Sequence, residues 1–516
     1  MKKHLLSLLV ALVAIADSLP TAAQEAYAVF TEADATLTFY YDNLRSTRPG
    51  TTYDMPAKVS TAPGWTGTDR VPQEKIKHAV FDGSFADYRP TSTRSWFQCC
   101  VKLQDIKDIR NLNTENVINM RSMFYNCKSL ESESLNLTNF NTAKVTDMSG
   151  MFKNCNSLAS LDLTNFNTAN VTDMSGMFQN CKSLAWLDLT NFNTANVTRM
   201  SEMFKFCSSL SSLDLTNFNT AKVTDMAEMF YECKSLVSLN LTNFNTEKVT
   251  SMAYMFEYCK SLASLDLTNF NTANVTDMGC MFYKCRSLES LNLTNFNTAN
   301  VTDMAHMFDD CRSLESLNLT NFNTAKVTNM IYMFNRCYSL TSLDLTNFNT
   351  AKVTKMSCMF EECSSLESLD LTNFNTAKVT EMAGMFEGCS SLESLDLTNF
   401  NTAKVAYMSE MFNNCSSLTT IYCNDDWSGG KVKYHDHMFS NCLNLKGEGA
   451  AYDSSKTGIE MANPTKGYFT AKTTGIDHVT AAGKVGDGKI YDLSGRQVSK
   501  NYKGVVVTNG RKILQR

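Results

Sequence analysis

The stretch SLASLDLTNFNTANVTDMSGMFQNCK, residues 157–182, is one copy of a unit that recurs through most of the chain. The Phe of its Thr-Asn-Phe triplet returns every 26 residues, at positions 140, 166, 192, 218, 244, 270, 296, 322, 348, 374 and 400. Self-similarity at a fixed period of this size indicates an array of stacked structural units. The repeat therefore decides the fold of the 516-residue chain.

Two apolar patterns follow one another inside each unit. The spacing L-x-x-L-x-L predicts a short strand with one buried face. In this copy its leucines are Leu158, Leu161 and Leu163. Four apolar residues then follow at steps of three, four and three, which places them on one face of a predicted short helix. In this copy they are Val171, Met174, Phe178 and Cys181.

Polar residues connect the two patterns. Asn165 and Asn167 flank Phe166, and we expect them to hydrogen-bond backbone groups in a turn. The pair Asn170 and Asp173 has the spacing of a helix cap. A 26-residue period is typical of leucine-rich repeats. The predicted fold class is therefore α/β: a leucine-rich repeat solenoid of 26-residue units, each with a short parallel strand and a short helix, stabilised mainly by its neighbours.

The repeat also sets the predicted domain boundaries. A positive start followed by an apolar run, Leu5 to Ile15, makes residues 1–24 a secretory signal peptide. We predict an N-terminal cap at 25–95, the solenoid at 96–445, a C-terminal cap at 446–471 and a β-rich tail at 472–516. The pattern V-x-x-M-x-x-M-F marks the regular units, from Val117 to Val405, and the units at either end depart from it, as capping repeats do.

The stretch LTNFNTANVTDMSGMFQNCKSL, residues 163–184, resembles the BspA-like leucine-rich repeat surface proteins of anaerobic gut and oral bacteria. The resemblance covers about two thirds of the chain. It implies a curved solenoid on the cell surface that acts as an adhesin for host matrix proteins, host cells or other bacteria. It names no single ligand and carries over no catalytic residues.

The tail has a resemblance of its own. Its stretches IYDLSGRQV and KGVVVTNGRKIL, residues 490–498 and 503–514, are similar to the C-terminal sorting domains of type IX secretion. That resemblance implies an address or attachment signal. A plain β cap is the alternative. In either case Asn509-Gly510 predicts a tight hairpin turn.

Composition narrows the function classes. The net charge is −5, which gives no electrostatic basis for binding nucleic acid. Six His leave little material for acid–base or metal chemistry, and the spacing of His435 and His437 matches no closed zinc site. Beyond the signal peptide there is no apolar run long enough to form a transmembrane segment. We expect a protein that is not an enzyme, with no cofactor and no metal.

Cysteines recur with the repeat, for example at 155, 181 and 207. Export would favour disulfides. Each cysteine, however, falls on the apolar pattern, once per unit. We therefore expect free thiols that pack as small hydrophobic groups.

An acidic strip is the candidate ligand-binding site. Carboxylates recur at outward positions of the predicted strand, where they can bind a ligand or simply form a solvated polar face. The candidates are Asp162, Asp188, Asp214, Asp266, Glu289, Glu315, Asp344, Glu367, Asp370, Glu393 and Asp396. The competing site lies on the predicted helix, where Tyr231, Tyr258 and Tyr283 differ from equivalent residues of neighbouring units.

These observations predict a secreted or cell-surface bacterial adhesin, on the outer membrane after export. Its expected partners are host extracellular-matrix or cell-surface proteins or glycans, or other bacterial cells. Many copies of one weak site suit a repetitive ligand through avidity. A structural spacer without a specific ligand is the alternative, and a surface hydrolase is a third.

Overall fold

The computed structural model describes residues 23–66, 72–429 and 432–472, together with four backbone strands between residues 490 and 515. Residues 1–22 of the predicted signal peptide lie outside this described part. The first five strands are β1 (Glu25–Thr31), β2 (Thr36–Asp42), β3 (Thr51–Asp54), β4 (His78–Phe81) and β5 (Asp105–Lys107). The next five are β6 (Ser264–Leu265), β7 (Ser290–Leu291), β8 (Ser394–Asp396), β9 (Thr420–Tyr422) and β10 (Phe469–Thr470).

Short 3₁₀ helices supply the helical content of the described residues. They span Arg45–Thr47, Gly64–Thr66, Gly83–Asp87, Ile109–Asn111, Ser132–Ser134 and Ile459–Met461. The predicted α-helix of each repeat is wrong, because the described residues contain no α-helix. In its place, the segment equivalent to residues 171–181 forms consecutive turns. The α/β class therefore does not hold for the described chain.

The side of the stack formed by these turn segments is called the turn face. Its hydrogen bonds explain why no helix forms. Between residues 145–155 and 171–181, backbone N–H groups donate to carbonyls of the neighbouring unit at 2.7–3.1 Å. These bonds are Met148 to Asp173, Gly150 to Ser175, Phe152 to Met177, Asn154 to Gln179, and Thr172 back to Thr146. An α-helix would instead satisfy these N–H groups within its own segment.

The spacing between units explains why this segment forms turns and not an α-helix. Adjacent strands lie about 4.7–4.9 Å apart, whereas an α-helix with its side chains is about 10–12 Å across. A turn segment is thin enough to repeat at the strand spacing, so both sides of the unit keep the same rise. Parallel bridges follow this ladder from Ser92 to Tyr434, and between Asp147 and Tyr407 each step is 26 residues.

The other side, called the strand face, carries the L-x-x-L-x-L segments. Only some of them pair as strands, all parallel: β6 pairs with β7, and β9 pairs with β8 on one side and with β10 on the other. Their leucines are buried; Leu158, Leu161 and Leu163 are 0–4% exposed. The predicted buried face is therefore present in these segments, and the predicted strand is present in the units that pair.

Between the two faces lies one continuous core built from columns of identical side chains. The Phe column from Phe97 to Phe439 stacks with ring centroids 5.4–5.9 Å apart and ring planes within 10° of parallel. Offset stacking of this kind adds to the stabilisation from burial. No unit can bury its own column, so the stack is stabilised by neighbour contacts.

Polar columns satisfy the backbone at the bend between the faces, as predicted for the Asn residues. Asn165 Nδ2 donates to the carbonyls of Leu137, Thr138 and Phe140 at 2.9–3.2 Å. A buried Thr supports the bend, since Thr142 Oγ1 accepts from the Asn167 N–H and donates to its carbonyl. The predicted helix cap is wrong because no helix follows it.

Caps cover both ends of the stack. At the N-terminal end, β1 pairs antiparallel with β2 and β3, while β2, β4 and β5 run parallel and continue the strand face. Trp65 is buried there and donates to the Trp96 carbonyl at 2.6 Å. At the C-terminal end, Trp427 packs edge-on against Phe469 of β10.

The tail forms a separate antiparallel sheet. Its strands are β11 (Ile490–Asp492), β12 (Gln497–Val498), β13 (Gly504–Thr508) and β14 (Arg511–Gln515), in the order β12-β11-β13-β14. Thr508 pairs with Arg511, so β13 and β14 form the predicted hairpin. The connecting Asn509 and Gly510 lie outside the described residues.

Candidate functional site

The acidic strip lies on the strand face as predicted, in two columns. The Asp column is interrupted by asparagines at 240, 292 and 318. The Glu residues at 289, 315, 367 and 393 are exposed, each two residues before the middle leucine of the L-x-x-L-x-L spacing. Equivalent carboxylates recur at the unit spacing, so the structure brings neighbours such as Asp344 and Asp370 together and leaves the Asp266 carboxylate between asparagines.

Each Asp of the strip also has a local structural partner. Asp214 Oδ1 accepts from the Thr216 N–H at 3.0 Å and from its hydroxyl at 2.7 Å. These hydrogen bonds from Thr216 hold the pKa of Asp214 below its ordinary value. Asn240 makes the same pair of bonds with Thr242. The Asp residues thus stabilise a turn with one oxygen, which Asn does equally well.

On the turn face, two positions of each unit have a left-handed backbone, four residues apart. Gly150 and Asn154 occupy them in one unit, and Gly176 and Asn180 in the next. Gly and Asn are the residues that tolerate this conformation best. From residue 202 to residue 362 other side chains occupy both positions, with φ of 55–62°. They are Glu202, Phe206, Glu228, Glu232, Tyr254, Tyr258, Cys280, Lys284, His306, Asp310, Tyr332, Arg336, Cys358 and Glu362.

An unbroken chain of ring contacts crosses six of these units. The rings are Phe206, Tyr231, Tyr258, Tyr283, His306 and Tyr332, and we call them the aromatic ridge. Successive ring centroids are 5.1, 6.5, 5.6, 5.5 and 4.7 Å apart. Each ring is half-buried. The ridge therefore offers a continuous aromatic surface with one edge in solvent.

Cations lie over the ridge. The Lys284 ammonium is 4.3 Å from the centroid of Tyr258 and 4.6 Å from that of Tyr283. Lys205 lies 4.8 Å from the centroid of Tyr231. Cation–π contacts of this type fix the rings at low entropic cost and add specificity to a surface.

Buried acids lie among these rings. Glu257 is 5% exposed, and burial raises its pKa to about 7. Asp309 accepts from His306 Nδ1 at 2.7 Å and from Asn335 Nδ2 at 2.9 Å. Asp310 is paired with two guanidinium groups, of Arg286 and Arg312. These contacts hold the ridge in one arrangement.

The sequence prediction found Tyr231, Tyr258 and Tyr283 as variable positions, but it missed Phe206, His306 and Tyr332. The sequence did contain a signal for these three residues, in the position that each occupies within its unit. Each of the three replaces the Gly or Asn that other units carry at a left-handed position. That position becomes recognisable only when the turn geometry replaces the expected helix.

The cysteine column has a hydrogen-bonding role. Cys155 Sγ donates to the Phe124 carbonyl at 3.0 Å, and Cys181 Sγ donates to the Phe152 carbonyl at 3.1 Å. Burial raises the pKa of Cys155 to about 12, so the thiol stays protonated at neutral pH. The column cysteines act as buried donors between units, in keeping with the packing role expected from the sequence.

His435 and His437 do not converge with acidic or sulfur ligands; in the described residues no three side chains of those types group around one point. Within the same part of the chain, no helix has the length and apolarity needed to cross a bilayer.

A protein-family model described as "Mycoplasma protein of unknown function, DUF285" matches residues 91–212, 161–265, 203–292, 281–370 and 338–452. These overlapping matches cover more than half of the chain. The chain belongs to this family. The family's description names no function. Membership confirms the predicted repeat family, whereas the resemblance of the tail to a sorting domain stays a prediction.

Two solved structures are similar to this chain. A leucine-rich repeat protein from Eubacterium ventriosum is 16% identical, with a TM-score of 0.33, over 79% of this chain and 96% of that one. The functional domain of InlJ from Listeria monocytogenes, which includes a cysteine ladder, is 18% identical, with a TM-score of 0.24, over 59% of this chain and 65% of that one. No curated protein sequence matches the chain.

Proposed function

We propose that this chain is an exported bacterial surface protein, a solenoid without enzymatic activity that mediates adhesion. Its partners on this proposal are host matrix or cell-surface proteins or glycans, or other bacterial cells. The signal peptide and the resemblance of the repeat to BspA-like adhesins support export and adhesion. The tail then serves as the address or attachment signal.

The observation that carries the proposal is the aromatic ridge, four of whose six rings stand at left-handed positions. A non-glycine residue in this conformation costs about 1–2 kcal/mol. Four ridge residues adopt this conformation at positions where other units carry Gly or Asn: Phe206, Tyr258, His306 and Tyr332. Backbone strain of this kind concentrates at functional sites, where the surrounding structure enforces it.

The chemistry of the ridge suits a protein partner. Aromatic and Arg side chains are enriched among the residues that dominate protein–protein binding energy. Here rings are already ordered by Lys284 and by their neighbours, which lowers the entropy lost on binding. The acidic strip is the weaker candidate, because Asp and Asn make the same turn there.

A binding assay with two matched variants tests the proposal. The ridge variant carries Tyr231→Gln, Tyr258→Asn and Tyr283→Gln, which are residues that equivalent positions carry in other units. The strip variant carries Asp344→Asn, Glu367→Gln and Asp370→Asn, which preserve the Asx turns. Full-length protein and both variants are measured against immobilised host matrix proteins and whole bacterial cells.

We expect at least a 10-fold loss of affinity for the ridge variant and less than a 3-fold loss for the strip variant. Loss with the strip variant alone would move the binding surface to the strand face. Absence of binding to every partner by the folded wild type would favour the alternative, a structural spacer.

A further inference from the structure

Trp186 is an exposed indole on the strand face. Its side chain is 56% exposed, whereas Trp65, Trp96 and Trp427 are buried. The equivalent residue is Ser in ten other units: Ser134, Ser160, Ser212, Ser238, Ser264, Ser290, Ser316, Ser342, Ser368 and Ser394. Packing does not explain the replacement of a surface Ser by the largest side chain, because an exposed Trp gains little from burial.

The indole borders a shallow concavity that extends over three units of the strand face. Besides Trp186, its exposed lining includes Ser212, Asp214, Ser238 and Asn240. Asp188 lies beside the indole in the same unit. A single aromatic face is thus surrounded by carboxylate, amide and hydroxyl groups.

The carboxylates in this concavity have free capacity to accept hydrogen bonds. Asp188 Oδ1 accepts from the Thr190 N–H and hydroxyl, and Asp214 Oδ1 is used in the same way by Thr216. Among the described residues, neither Oδ2 has a hydrogen-bond partner. Bonds from Thr190 hold the pKa of Asp188 below its ordinary value, so the free oxygen belongs to an ionised group at neutral pH.

We propose that Trp186 is the stacking platform of a saccharide-binding site. The indole face would take the C–H face of one sugar ring, and the free Asp188 and Asp214 oxygens would accept from its hydroxyls. A protein partner is a poorer fit, because interface anchors are ordinarily framed by further apolar and aromatic side chains. Here the exposed neighbours are polar.

The repeat geometry sets the orientation and length of the ligand. Successive strand-face segments lie roughly 4.7–4.9 Å apart, which is comparable with the length of one sugar residue in an extended chain. A glycan along the stack would therefore place one sugar over each of the three units that carry Trp186, Asp214 and Asn240. Affinity should rise from mono- to trisaccharide and then level off.

This inference names a ligand class for the proposed adhesive function, and it rests on that function only in assuming that the chain binds extracellular material. The site lies on the strand face, whereas the proposed protein contact lies on the turn face. Because the two sets of residues do not overlap, each proposal can fail without the other.

Intrinsic fluorescence tests the site, because Trp186 is the exposed indole among three buried ones. Full-length protein is titrated with cello-, chito-, manno- and malto-oligosaccharides of one to six residues and with mucin O-glycans. We expect at least one series to change the emission and to protect the indole from iodide quenching. Isothermal titration then gives the affinity for each chain length.

Consensus substitutions provide the matched variants. Trp186→Ser introduces the residue that ten equivalent positions carry, so folding should be preserved, and we expect at least a 10-fold loss of saccharide affinity. Asp188→Asn with Asp214→Asn keeps the Asx turns, as Asn240 does, and should weaken binding about 3-fold or more. The ridge variant should bind saccharide like the wild type.

Three results would overturn the inference. They are no response to any saccharide in the panel, equal affinity in the Trp186→Ser variant, and protection of the indole by a protein partner but by no saccharide. Loss of protein binding in the ridge variant with no saccharide response would sink this inference and leave the proposed function intact.

Discussion

On the strand face, Ala185 donates a backbone hydrogen bond of 3.1 Å to Ala159, and buried leucines supply most of the contact between the two units. On the turn face, the same two units share five backbone hydrogen bonds within residues 171–207, all of which the structure describes. Both sides of a unit therefore bury apolar side chains, but the turn face adds a regular ladder of backbone hydrogen bonds between units.

This difference explains where sequence variation is tolerated. A ladder that uses backbone groups does not depend on the side chains that project from it. Large residues such as Tyr258 and His306 can therefore occupy left-handed positions without breaking the stack. Outside the paired strands, the strand face has few such bonds between units, and its contacts depend on the repeated leucines. Replacement by large side chains is therefore concentrated on the turn face, with Trp186 as an exception.

Loss of register between neighbouring units should have the largest effect on folding. Deleting residues 157–182 removes one whole unit and rejoins equivalent positions, so the shorter chain should fold cooperatively. Deleting residues 157–169 alone places a turn segment opposite a strand segment, leaves both the ladder and the leucine column unmatched, and should abolish folding. Thermal unfolding by circular dichroism compares the two. Similar cooperative transitions would show that stacking in register is unnecessary.

A pair of proline substitutions compares the faces directly. Asn180→Pro removes the donor of the 2.6 Å bond to Lys205 and cannot adopt the left-handed φ of 60°, so we expect a cost of about 3 kcal/mol or more. Ala185→Pro removes one strand-face donor and should cost about 1 kcal/mol. Urea unfolding measures both. If the strand-face variant is the less stable one, the ladder is not the main contact.

The pH dependence of stability should also differ between faces. Glu257, buried on the turn face, has its pKa raised to about 7 from an ordinary 4.5. Between these values the folded chain binds more protons than the unfolded chain, so the free energy of unfolding falls as pH rises. We expect a fall on the order of 1–3 kcal/mol. Glu257→Gln should reduce the slope. The remainder reflects Glu387, whose pKa is also raised to about 7, together with Glu361 and Asp309, whose pKa values burial also raises.

Asp214→Asn is the strand-face control for that profile. The pKa of Asp214 is lowered from 3.8, so its contribution is lost only as pH falls below that value. The slope between pH 4.5 and 7 should therefore stay as in the wild type. If Asp214→Asn changes the slope and Glu257→Gln does not, the pH dependence does not arise from the turn face.

Relief of backbone strain on the turn face gives the smallest effect. Tyr254 is 41% exposed with φ of 60°, at a position that Gly occupies in other units. Tyr254→Gly should raise the free energy of unfolding by about 1 kcal/mol, because the left-handed penalty disappears and little packing is lost. Urea unfolding measures the gain. A loss of stability would show that the ring contributes more packing than its exposure indicates.

Much of this fold could be predicted from the leucine, Phe and Cys columns, because burial depends on the spacing of apolar residues alone. The turns that replace the expected helix could not be predicted in this way. Steps of three, four and three from Val171 to Cys181 put side chains on one side of a helix and equally on one side of a stack of turns. Gly176 and Asn180 were a local sign of left-handed positions, but their meaning required the turn geometry.

The candidate sites divide in the same way. The acidic strip was visible in the sequence, but its bonds to Thr216 and equivalent residues appear only in the structure. Trp186 was visible as a departure from Ser, yet only its 56% exposure separates a surface platform from a core residue.

The sequence by itself determined the period, the buried columns, the strand-face position of the acidic residues and the capped ends, since these follow from which residue types recur and where. Only the tertiary structure decided whether each N–H of the turn segment bonds within its own unit or to the next. That choice depends on a neighbouring carbonyl 25 or 26 residues away, at hydrogen-bonding distance only when units stack at the strand spacing. A local pattern contains no information about such a partner.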